Sequence, residues 1–155
     1  MVIYNKKIDE FILDIIEDSI KNTIETELKK IPEFEFIEID GCILNKNNIN
    51  KKINVKRMLQ IYGDKTGIEA SNSEFRINDF IDIKDTKSKY LLSRFIMKKW
   101  KESLKNKFPN YNFFIYLSID QEDFTIRFHK KRLDEMMWVD NNIDDFKEML
   151  LIYEF

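Results

Sequence analysis

A chain of 155 residues that is 43% hydrophobic, with 13 Phe, 6 Tyr and 2 Trp, can build one core, and residues 1–155 are read as one domain. The formal net charge of −2 argues against a dedicated nucleic-acid binder, though not against local patches. Cys42 as the only cysteine excludes an intrachain disulfide, and the lack of a secretory signal or of about 18 uninterrupted apolar residues points to a cytoplasmic protein without membrane contact.

From Ile8 to Ile31, apolar residues at steps of three and four predict an amphipathic helix that Pro32 stops. "EFEFIEI" then alternates into Asp40-Gly41 and reads as a strand entering a turn. The stretch from Asn45 to Asp82 is less patterned. "NKNNINKKIN" reads as a loop, "VKRMLQIYG" as a strand or a short helix, and "YGDKTG" as a turn. Partial alternation through Phe75, Ile77 and Phe80 predicts a strand or two.

Leu91, Leu92, Phe95, Ile96, Trp100, Leu104 and Phe108 fall on one stripe of a central helix, capped by Asp85 or Thr86 and ended by Pro109. "FFIYLSI" and "FTIRFHK" flank the polar loop 120–123 and predict a hairpin. Placing that loop symmetrically pairs Ile119 with Phe124, Leu117 with Ile126 and Ile115 with Phe128 on an apolar face. The other face pairs Ser118 with Thr125, Tyr116 with Arg127 and Phe114 with His129. "NNIDDFKEMLLIY", with an Asn cap and acids in its first turn, predicts a short closing helix. The expected fold is α+β: an antiparallel sheet with an amino-terminal, a central and a short carboxyl-terminal helix packed on it.

Chemistry-bearing residues are sparse. His129 is the only histidine, on the mixed hairpin face with Tyr116 and Arg127, and nothing in the pattern supplies a partner to orient it as a general base. One His and one Cys do not make a transition-metal site, and no calcium loop, nucleophile elbow or phosphate-binding loop occurs. No cofactor or metal is therefore expected, and a small-molecule ligand is disfavoured. Charge is more informative. Residues 1–50 carry 11 acids against 6 bases, residues 84–108 carry 9 bases against Asp85 and Glu102, and the tail from Leu133 is acidic again. The basic helix could bind phosphates, but neutralisation by acidic neighbours is the preferred reading. In "RFHKKR", Phe128 points away from Arg127 and His129, which weakens a nucleic-acid role for that cluster.

The segment from Tyr90 to Tyr153, with the Trp100 helix, the paired strands, "RFHKKR" and Trp138 after an acidic linker, resembles immunity proteins of bacterial polymorphic and contact-dependent toxin systems. The resemblance implies a non-catalytic domain that neutralises a cognate protein toxin by direct binding. Complementary charge would speed such an association, and exposed Trp, Tyr and Arg would be its hot spots. The partner-binding candidates are Tyr116, Arg127, His129, Arg132, Asp134, Glu135, Trp138, Asp144 and Asp145. Two alternatives stand beside this reading. One is a small hydrolase or nuclease centred on His129, and the other is a nucleic-acid-binding accessory protein using the 84–108 helix.

Overall fold

The structure, a computed structural model, describes residues 1–8, 21–49, 52–139 and 142–155. It is an α+β fold built on a five-stranded antiparallel sheet. In chain order the sheet comprises β1 (Val2–Tyr4), β4 (Phe75–Arg76), β5 (Phe113–Asp120), β6 (Asp123–Lys130) and β7 (Met149–Glu154), arranged β1-β7-β5-β6-β4. A separate hairpin joins β2 (Phe36–Ile39) and β3 (Cys42–Asn45). Its turn is Asp40-Gly41, and both residues have positive φ, the backbone that short hairpin turns demand and that Gly supplies without strain. The helices are α1 (Lys21–Leu28), α2 (Val55–Tyr62), α3 (Lys65–Asn72) and α4 (Thr86–Lys107).

The β5–β6 register is the one that symmetric placement of the 120–123 loop requires, from Phe113 opposite Lys130 to Asp120 opposite Asp123. Alternation then sends Ile115, Leu117, Ile119, Phe124, Ile126 and Phe128 to the inner face, where Leu92, Ile96, Trp100 and Leu104 of α4 cover them. Trp100 is the hub, with Phe34, Phe36 and Phe128 in edge-to-face contact at 5.0, 5.7 and 5.8 Å between ring centroids. Asp85 caps α4 by accepting from the Ser88 N–H at 2.8 Å. Cys42 and Leu44 of β3 form a third apolar cluster with Val55 of α2 and Ile68 of α3.

Several expectations are corrected. The carboxyl-terminal segment is not a helix. Residues 143–145 make one 3-10 turn, and Met149–Glu154 form β7, which lies between β1 and β5. Its run of apolar residues is consecutive because Leu150 and Ile152 fill the outer face while Leu151 fills the inner one. Of the two forms expected for residues 55–62 the helix is the one adopted, with Gly63 at φ 86° ending α2. Only Phe75–Arg76 pair as strand within the 74–83 stretch. Of the amino-terminal helix, α1 is observed, and residues 9–20 lie outside the described residues, as does Asn141. Among the described residues no helix is long and apolar enough to cross a membrane.

Candidate functional site

The mixed outer face of the sheet is roofed by the chain that leaves β6. The described parts of this strap, residues 131–139 and 142–146, lay Trp138, Val139, Ile143 and Phe146 over Phe114, Tyr116, Leu150 and Ile152. His129 is therefore not presented to solvent, as its place on the polar side of the alternation implied. It is 2% exposed. Its Nδ1 lies 2.9 Å from the Lys130 carbonyl, which requires the proton there, so Nε2 accepts from the Tyr116 hydroxyl at 2.7 Å. The His129 ring also stacks on Tyr116, and Trp138 meets Tyr116 edge-on at 5.5 Å. Burial pushes the His129 pKa down from 6.5 to about 4, so the ring is neutral at pH 7. Burial also raises the Tyr116 hydroxyl.

The remaining charges of "RFHKKRLDE" are mostly engaged internally. Arg127 donates to Glu74 at 2.8 Å and lies over the Trp138 ring at 4.8 Å. Arg132 forms a two-pronged pair with Glu69, Nη1 to Oε2 at 2.9 Å and Nη2 to Oε1 at 2.6 Å, and reaches the Gly41 carbonyl at 3.0 Å. The Glu69 carboxylate, fully buried, also accepts the N–H groups of Ile43 in β3 and Lys130 in β6, each at 2.7 Å. One side chain of α3 thus joins the hairpin, the main sheet and the strap. Burial pushes the Glu69 carboxyl up while the guanidinium and two amides pull it back. Burial also opposes charge on Arg132, but Glu69 holds it above the ordinary guanidinium value.

Glu135 caps the start of α3, accepting from the Thr66 N–H and hydroxyl at 2.8 and 2.7 Å. Burial works to raise its pKa, yet the Thr66 hydrogen bonds, the Arg132 charge and the Lys65 N–H together keep it below the usual carboxylate value. Asp144 accepts from the Lys6 N–H at 3.0 Å, and Asp145 from Asn142 at 2.5 Å.

Of the nine sequence candidates, Tyr116, Arg127, His129 and Trp138 meet in one layer, Arg132 and Glu135 meet beside it, and Asp144 and Asp145 lie at the far end of the strap. Asp134 is exposed between Leu133 at 102% and Met136 at 71% exposure. Leu133 and Met136 escaped the sequence reading, and only their apolar character within an acidic linker could have signalled them. Glu69 and Thr66 escaped it too, because they sit in the short polar helix "KTGIEASN" and their partners, 26 to 69 positions away in the chain, are brought near only by folding. Cys42 is buried, with its thiol pushed up to about 11 by burial. No group of His, Cys, Asp and Glu side chains among the described residues is arranged to hold a metal ion.

The fold and site define an α+β protein in which the strap closes an aromatic layer holding the single histidine over one face of the sheet, with a buried ion pair beside it. The chain belongs to the Uncharacterized protein PM0498 family, whose model matches residues 3–155. No curated protein matches it, and no solved structure does.

Proposed function

We propose that this chain is a non-catalytic binding domain, an immunity protein that neutralises a cognate bacterial toxin by direct contact. The observation that carries this reading is the 133–136 tip. Leu133 and Met136 stand in solvent on either side of Asp134, while Arg132 and Glu135 in the same short segment are fixed to α3. A preordered loop that presents two apolar anchors loses little entropy on association, and exposed apolar groups held rigid are what a partner pocket recognises. In this reading His129 is structural: it has no free ring nitrogen to offer a substrate. The sequence resemblance to immunity proteins points the same way.

The test is co-purification with a toxin domain encoded beside the gene. The wild-type chain is expected to bind and protect cells, whereas Leu133→Asp with Met136→Asp should weaken binding by at least about tenfold, since two anchor residues are lost. Both positions are exposed, so the variant should melt as wild type does. Unchanged protection by a folded double variant, or the absence of any adjacent toxin gene, would sink the proposal.

A further inference from the structure

Among the described residues, the second half of α4 lacks the acidic neighbours expected to neutralise its outer face. Lys98, Lys99, Lys101 and Lys105 have no carboxylate within ion-pair distance among the described residues, and Lys107 reaches only Glu35, at 4.0 Å. Arg94, Lys98, Lys101 and Lys105 succeed one another at steps of four, three and four, so they form one stripe about 17 Å long. The aromatic rings lie with them rather than on the opposite face, as happened in "RFHKKR". Phe95 is 38% exposed beneath Lys99 at 5.4 Å, and Phe155 lies under Lys101 at 5.3 Å. Beside the stripe a cleft of about 500 Å³ is lined by Leu91, Arg94, Phe95, Lys98, Lys101 and Tyr153. Arg94 donates to the Tyr153 hydroxyl at 3.3 Å across it. Among the described residues the lining has three cations, a phenol and a phenyl ring, and no acid.

We infer that this face binds the sugar-phosphate backbone of single-stranded nucleic acid, with Lys98, Lys101 and Lys105 on successive phosphates and a base stacked against Phe95 in the cleft. An aromatic within a lysine stripe suits a single strand, whose bases are free to stack, better than a duplex, whose bases are already stacked. An acidic protein surface would be drawn by the same charge but would have no use for the ring. Contacts made by lysine to phosphate carry no sequence information, so binding is sequence-independent. The inference is independent of the toxin-binding reading, because the strap tip and the α4 face belong to different elements.

The test is fluorescence anisotropy with a labelled oligo-dT 20-mer, a matched 20-bp duplex and polyglutamate, each across a salt series. The single strand is expected to bind most tightly, with an affinity that falls as salt rises by a logarithmic slope of about −0.7 per phosphate neutralised. Lys98→Gln, Lys101→Gln and Lys105→Gln together should weaken binding by at least about tenfold and flatten the slope by about 2. Phe95→Ala should weaken the single strand several-fold while leaving the salt slope unchanged. The four substituted residues are at the surface, and unchanged circular dichroism would establish that the variants fold. No binding of oligo-dT at low salt, equal affinity for polyglutamate or duplex, or an unaltered affinity in the triple variant would each overturn the inference.

Discussion

His129 is buried as a neutral ring, and that couples stability to pH. In the unfolded chain an imidazole takes up its proton near pH 6.5, whereas in the fold it does so only near pH 4. Between those values the unfolded state binds more protons than the native state, so stability falls as pH drops through this window and is unaffected by the ring above it. The shift corresponds to roughly 3 kcal/mol lost between pH 7 and pH 4. Chemical denaturation across that range should show the slope in the wild-type chain, and His129→Asn should lack it even though its stability at pH 7 is lower. A slope equally steep in both would assign the acid sensitivity to the carboxylates. Arg132 illustrates the other fate of a charge at this scale. Buried against Glu69, it holds three parts of the fold together, and no sequence pattern distinguishes it from the neighbouring Lys131, whose partner Glu154 is at the surface.

At the scale of elements, α3 closes what would otherwise be an open sheet edge. β4 pairs with β6 only at Ile126 and Thr125, and beyond that point side chains replace a strand. The Ser73 hydroxyl accepts the Phe128 N–H at 2.8 Å and faces the Phe128 carbonyl at 3.1 Å, while Glu69 accepts from Lys130. Ser73→Ala removes that partner from a buried N–H and should cost about 1–3 kcal/mol in urea unfolding. Native-state hydrogen exchange separates this cause from general loosening. The Phe128 amide should exchange faster relative to global opening, and the Lys130 amide should keep its protection; equal acceleration of both would refute the edge-capping role. The same element shows where sequence reading stops. The β5–β6 hairpin and α4 were legible because alternation and a three-four stripe run through eight or more residues of each. The polar α3 has no such run, and its meaning comes from atoms that only the fold brings near. The closing strand was misread as a helix because a strand buried on both faces shows no alternation, and the acids of 144–145 imitate a helix start.

For the whole molecule, the consequence of that misreading is topological. β7 is the last element of the chain yet it occupies the interior of the sheet, pairing with β1 on one side and with β5 from Phe114 to Ile119 on the other. Asn5, fully buried, completes the join: its Oδ1 accepts the Leu150 N–H at 3.0 Å and its Nδ2 donates to the Glu148 carbonyl at 2.9 Å. Leu150 and Ile152 also supply the floor on which the strap and Trp138 rest, so the outer layer depends on the same strand. A closing helix packed on a finished sheet could be deleted at the cost of its own contacts. A central strand cannot, because its loss parts β1 from the sheet and exposes both layers together. A chain ending at Glu148 should therefore lose its cooperative thermal transition and its near-ultraviolet aromatic signal, and adding a synthetic 149–155 peptide in excess should restore part of both. A truncated chain that still melts cooperatively would mean that β5, β6 and α4 suffice for the fold, and that β7 is dispensable despite its position.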